Sequence, residues 1–152
     1  MTKTRWLNDA EMRFWRAFVE VSSGVVQRVE ADLKADANLD FDDYEVLVHL
    51  SEADDRRLRM SVLSERLLNS RSRLTQRIDR MVDRGLVRRE KCAEDGRGTF
   101  AVLTDEGFAT IESAAPDHVR SVREHLIDLV DPGELDMAVD VYERVTKGLR
   151  SS

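Results

Sequence analysis

Between Leu74 and Leu103 the apolar residues change their period, and that change limits the possible folds more than any other feature of the chain. Leu74, Ile78, Met81, Val82 and Leu86 fall at i, i+4, i+7, i+8 and i+12, one continuous helical face that Gly85 can close from the C′ position. Beyond Gly85 the runs Leu86 to Cys92 and Thr99 to Leu103 read as extended, and Glu94-Asp95-Gly96-Arg97-Gly98 between them is a turn signal. A helix is therefore expected to lead straight into a β-hairpin with a charged tip. Upstream, Ser61 opens a short helix through Leu68 that uses Val62, Leu63 and Leu67, and Ser70 is the start signal of the next.

The flanks read as helices. Trp15, Phe18, Val19, Val25, Val26, Val29 and Leu33 recur at three- and four-residue spacing from Glu11 to Lys34, with Phe14 and Val21 on a second face. Such a helix is about 36 Å long, more than a compact domain needs, and its second face asks for a partner. Asp40 is a candidate N-cap for a helix holding Tyr44, Val46, Leu47, Val48 and Leu50, with Asp43 three residues on. Thr104 and Asp105 can cap another, lined by Phe108, Ile111, Ala115, Val119, Val122, Leu126 and Leu129, in which Pro116 should cause a kink or a break. Asp131-Pro132-Gly133-Glu134 opens a last helix with Leu135, Ala138, Val139, Tyr142, Val145 and Leu149 on one stripe. The expected fold is mainly α with a small β-hairpin wing, one unit over 1–152.

Composition narrows the class. At 152 residues, 41% apolar and 36% charged, the chain has enough apolar residues for a core and too many charges for a membrane protein. No apolar run approaches the roughly 18 residues that span a bilayer, and Met1 to Asn8 lacks a signal-peptide pattern, so a cytoplasmic protein is expected. Cys92 is the single cysteine, which fits a reducing compartment and allows no internal disulfide.

The net charge of −6 hides a strong asymmetry. From Arg56 to Arg97 thirteen bases face six acids, a net of +7, while the remainder carries −13. A basic middle between acidic ends is the footprint of a module that meets phosphate with one part and avoids it with the others. Short helix, tight turn, basic helix and hairpin together make a winged helix-turn-helix over 40–104. With Leu74 inward, steps of 100° put Ser72, Arg73, Gln76 and Arg80 outward and Arg77 on the flank. Arginine can grip guanine and glutamine adenine with two hydrogen bonds each, and serine serves either. The free N–H groups at Ser70 and Arg71 suit a phosphate at the helix N-terminus. Arg97 on its glycine-flanked tip has the reach for a minor groove, with Asp95 a structural acid that holds Arg97 or a nearby N–H.

These residues resemble the MarR family of bacterial transcriptional regulators. The likeness is most specific from Ser61 to Gly107, in Asp79-Arg80-Met81, Gly85-Leu86-Val87-Arg88-Arg89, the wing element Asp95-Gly96-Arg97 and the exit Leu103-Thr104-Asp105-Glu106-Gly107. Two departures stand out: Gly98 follows Arg97 where many members have a second arginine, and the first helix lacks the cysteine of peroxide-sensing members. The resemblance implies a homodimer built by helices in 9–36 and 105–150, binding double-stranded DNA at a near-palindromic operator with half-sites about one turn apart. It further implies a repressor released by a small, often aromatic effector bound between the dimer and DNA-binding parts, where Trp15, Tyr44 and His49 are the candidate lining residues. No cofactor or metal is implied.

Two rival readings have less behind them. An enzyme lacks parts: there are three histidines, no nucleophile motif and no phosphate loop. His118 and His125, seven apart, offer a metal- or pH-responsive variant of the regulator, with Pro116 blurring their register. A non-specific chromosome-associated protein would be basic overall, which this chain is not.

Overall fold

The computed structural model describes residues 4–93, 96 and 98–151. The first helix, α1 (Asp9–Ala37), begins at a reciprocal cap in which Asn8 Oδ1 accepts from the Glu11 N–H and the Glu11 carboxylate accepts from the Asn8 N–H, both at 2.9 Å. Left-handed Asn38 ends it. At 29 residues it is about 44 Å long, yet Val29 and Leu33, near its C-terminus, are its only buried residues. Phe14, Trp15, Val19 and Val21 are exposed.

α2 (Phe41–Ser51) buries Tyr44, Val46, Leu47 and Leu50. Asp40 holds the N-cap position without the expected side-chain cap: its carboxylate instead accepts from Lys34 Nζ at 3.1 Å. The charged stretch that follows α2 leads into a strand the sequence does not announce, β1 (Arg57–Arg59). It turns the expected hairpin into a three-stranded antiparallel sheet of order β1-β3-β2, with β2 Val87–Lys91 and β3 Thr99–Leu103. Ala101 at the centre pairs with Leu58 on one side and Arg89 on the other. A three-residue strand gains its order from that neighbour, which local sequence does not reveal.

α3 (Met60–Arg66) and α4 (Arg71–Asp83) lie between β1 and β2. Leu39, Leu47, Leu50, Leu63, Leu74, Ile78 and Met81 are fully buried together, so the core sits where α2, α3 and α4 meet the sheet. Val82, expected on the same face, is exposed, because it lies 80° around the helix from Leu74. Gly85 closes α4 as expected: at φ +74° it lets its own N–H reach Val82 O at 2.9 Å and the Leu86 N–H reach Met81 O at 3.0 Å.

α5 (Asp105–His125) is capped by Thr104, whose Oγ1 accepts from the Gly107 N–H and donates to Gly85 O. Gly107 is required by close approach, since a Cβ there would lie 2.1 Å from Leu86 O. The helix is not interrupted at Pro116, which is exposed, but it stops at His125, so Leu129 falls in a 3₁₀ turn and is 78% exposed. Asp131 caps a second 3₁₀ turn through the Gly133 N–H, and α6 (Leu135–Arg150) follows. None of its residues is buried: Met137 is 68% and Leu149 61% exposed, with Val139, Tyr142 and Val145 beside them. Among described residues, the Phe18 and Tyr142 rings, 6.3 Å apart, link α6 to α1.

Candidate nucleic-acid interface

The turn into α4 is tightly specified. Leu68 adopts φ +51°, so the Leu68 N–H reaches Glu65 O and the Asn69 N–H reaches Ser64 O at 3.1 Å, while buried Ser64 Oγ donates to Asn69 O at 2.6 Å. This is a glycine-type helix ending made with leucine, which costs backbone strain. Ser70 then caps α4, its Oγ accepting from the Arg73 N–H at 3.4 Å and lying 3.3 Å from Ser72 Oγ.

With Leu74, Ile78 and Met81 buried, Ser70, Arg71, Ser72, Arg73, Gln76 and Arg80 are all exposed. The side chains of Arg71, Arg73, Gln76 and Arg80 make no hydrogen bond or ion pair with any described residue. Two acids share this face: Asp79 is held by Arg89 at 3.0 Å, which offsets its charge, and exposed Asp83 lies at the far, C-terminal end of α4. Arg77 is placed differently from the expectation that counted it among the DNA-facing residues. Only 17% of its side chain is exposed, and its guanidinium grips Asp43 at 2.5 Å and Asp42 at 2.6 Å. Three residues beyond Leu74, it sits at the edge of the buried face, and the carboxylates of α2 draw it inward.

Sequence reasoning missed a second basic feature. Arg59, Arg71 and Arg89 line one cleft of about 360 Å³ with Ser61 and Thr75, where the ends of α3 and α4 meet the sheet. Three guanidiniums around one cleft favour an anion. The signal that would have found it is β1, which brings Arg59 beside the wing. Arg89 in this cleft is also tied to Asp79 and to Thr75 O, and Arg59 lies over the Phe100 ring, while Arg88 and Arg57 both pair with Glu90 and hold its carboxyl below the usual range, Arg88 through the stronger contact. At the wing, the Cys92 N–H donates to Gly98 O at 2.8 Å and the Gly96 N–H to Cys92 O, with Cys92 itself buried. Asp95 and Arg97 lie outside the described residues.

The three residues expected to line an effector site are not brought together. Tyr44 lines a depression of about 460 Å³ between α2 and α5 with Glu45, Val48, Phe108, Ile111 and His118, its ring centroid 4.2 Å from that of His118. His49, five residues on, is turned about 140° around the helix and lines neither this depression nor the one beside Trp15, Leu7 and Phe14. Burial lowers the pKa of His118, whose Nδ1 is buried with no partner among described residues, and raises those of Tyr44 and Glu45. His125 points elsewhere, its Nε2 3.3 Å from Asp32. Asp32 also accepts from Ser121 Oγ at 2.5 Å, the main reason its pKa is lowered. His118 and His125 thus do not share a site, and among described residues no group of three or more potential metal ligands occurs.

A capped helix presenting unpaired arginines and a glutamine, packed on a three-stranded wing, defines a winged helix-turn-helix protein. Residues 37–98 match the model of the MarR family. AbsC, a MarR family transcriptional regulator from Streptomyces coelicolor, is 44% identical over 98% of this chain and all of its own, with a TM-score of 0.93. Sco3205, a MarR family regulator of the same organism solved in complex with DNA, is 35% identical over 97% of this chain and 92% of its own, with a TM-score of 0.92. The regulator MhqR of Bacillus subtilis is 25% identical over 83 residues, 55% of this chain and 57% of its own length. The chain belongs to the MarR family of transcriptional regulators. These relatives are regulators rather than enzymes, and no helix among the described residues is long and apolar enough to cross a membrane.

Proposed function

We propose that this chain binds double-stranded DNA sequence-specifically as a homodimer, and that it is a repressor released by a small aromatic effector. In this reading α4 enters the major groove. Ser72, Arg73, Gln76 and Arg80 read base edges, while the N-terminus at Ser70 and Arg71 holds a phosphate. Arg59 and Arg89, the latter shared with Asp79, add positive charge around the cleft that Arg71 lines. Arg97 reaches the minor groove from the wing, steadied by Asp95. Arg77 is left out, because it is spent on α2. Residues 40–104 form the reading part, and helices within 9–36 and 105–150 form the dimer.

The observation that carries the DNA reading is the set of four unpaired side chains, Arg71, Arg73, Gln76 and Arg80, opposite the buried Leu74, Ile78 and Met81. Side chains of this length and charge left unpaired on one face are placed for an external partner, and the complex of Sco3205 with DNA supports which partner. The effector reading now rests on Tyr44 and His118 at the depression between α2 and α5. Trp15 and His49 lie away from it.

The test is selection of bound sequences from random duplex DNA, followed by fluorescence anisotropy on the selected site against unrelated competitor. A near-palindromic site bound at least about 1,000-fold more tightly than unrelated DNA is expected. Equal affinity for all sequences would instead mark a chromosome-coating protein and overturn the proposal. Release of the selected site by aromatic compounds, lost on Tyr44→Ala, tests the effector part separately.

A further inference from the structure

Asp43 is a buried carboxylate on the first turn of α2, and both of its oxygens are used by the reading helix. Oδ1 accepts from Arg77 Nη1 at 2.5 Å and Oδ2 from Arg84 Nη1 at 3.3 Å. Those arginines are seven residues apart, two helical turns along α4. One attachment fixes a helix in place, whereas two along its length also fix its angle. Arg84 goes further, since its Nη2 donates to the carbonyl of Asn38 at 3.0 Å, and Asn38 is the left-handed residue that ends α1. A single chain of charge-assisted hydrogen bonds therefore joins the end of the long outer helix and the first turn of α2 to the reading helix at two points, Arg77 within it and Arg84 at its C-cap. Side-chain exposure is 7% at Asp43 and 17% at Arg77, so water competes little for that pair, while Arg84 is 38% exposed and its bonds are partly open to water.

Fold stability alone is a weak reason for such an arrangement. Burying these charges costs desolvation, and apolar side chains of similar volume often serve as well or better. What ion pairs add is direction, because a planar guanidinium that grips two separate acceptors, as Arg77 and Arg84 each do, fits few arrangements.

We propose that Asp43 is a positioning residue that sets the angle of α4 relative to α1, and through it the half-site spacing the dimer accepts. This rests on the dimeric reading given above. One inserted base pair moves a half-site by about 3.4 Å and turns it by about 35°. A rigidly held pair of reading helices cannot follow that displacement, and a loosened pair can.

The experiment measures binding of the full chain to the selected operator and to versions with one base pair added or removed between half-sites. The intact protein is expected to lose about 10-fold or more on either altered spacing, as simultaneous engagement fails. Asp43→Asn, combined with Asp42→Asn because Asp42 also holds Arg77 at 2.6 Å, should weaken binding at the native spacing, yet shrink the penalty for altered spacing to roughly 3-fold or less, because the second half-site is engaged again. Arg84→Gln removes the anchor to Asn38 while Asp43 and Arg77 stay paired, and it should narrow the penalty by an intermediate amount. It decides the matter if the double variant does not fold. A uniform loss on all three operators, with the spacing penalty unchanged, would reduce the network to structural support and overturn the inference. An intact protein indifferent to spacing would overturn both this inference and the dimeric reading, whereas selectivity that survives in both variants overturns this inference alone.

Discussion

The reading part and the outer helices use apolar residues in opposite ways. From Leu39 to Leu103 the large aliphatic side chains close on one another, and nine of them are fully buried within one chain. In α6 no residue is buried, and the first half of α1 leaves Phe14, Trp15, Val19 and Val21 in solvent. Monomeric proteins rarely leave apolar stripes of this extent uncovered. The reading part closes its core within one chain, with Val29 and Leu33 of α1 and Ile111 and Ala114 of α5 packed into it, whereas α6 and the first half of α1 leave faces that fit the proposed second copy. Polar networks follow the same division: Asp43, Arg77 and Arg84 tie the reading helix to the inner end of α1, and nothing comparable among the described residues ties α6 down.

The most severe way to break this comparison is to delete the chain from Asp131 onward. The reading part should keep its fold, while operator affinity drops by about 100-fold or more, because a second half-site contact is no longer intramolecular. Anisotropy titration of the truncated chain checks this, and full affinity would mean that α6 covers nothing needed. Arg73→Ala or Gln76→Ala should cost about 1 to 3 kcal/mol on the best operator and relax preference at the bases they touch. Binding of operator and random DNA in an unchanged ratio would show that α4 presents another face to the groove.

Smaller effects sharpen the account. Arg97→Ala should weaken operator binding and lower the slope of log affinity against log salt by about one unit, if its charge displaces one counterion. A titration series at rising salt would show it. The effect of pH on the fold should centre on His118. Burial lowers its folded-state pKa below the ordinary 6.5, so the unfolded chain binds more protons in that window. Its contribution is complete above pH 6.5 and is lost as pH falls below that value. Thermal melts at pH 7.5 and 5.5 should differ more for the intact protein than for His118→Phe. Asp32, held low by Ser121, adds stability that disappears only in the acid range as pH falls below its ordinary 3.8.

The faces of α4 were legible in sequence because helical period alone decides them, and Ser70 and Gly85 mark its ends by local chemistry. The wing strands were legible for the same reason. What escaped depended on partners far along the chain. Arg77 reads as a flank arginine until Asp42 and Asp43, more than thirty residues earlier, are packed against it. Arg57 to Arg59 reads as a charged stretch until β3 pairs with it. Asp40 carries a cap signal, yet Lys34 from the preceding helix takes its carboxylate. Of the effector residues, the separation of Tyr44 from His49 followed from helix geometry already, whereas His118 reaches Tyr44 only through the packing of α5 on α2.

The central claim, that the outer helices need a second copy while the reading part does not, is tested most directly by the mass of the intact protein in solution. Light scattering across nanomolar to micromolar concentrations should give about 35 kDa, twice the 17.4 kDa of one chain, with the operator bound by that species. A steady mass of 17.4 kDa, with tight binding to a palindromic site, would contradict it.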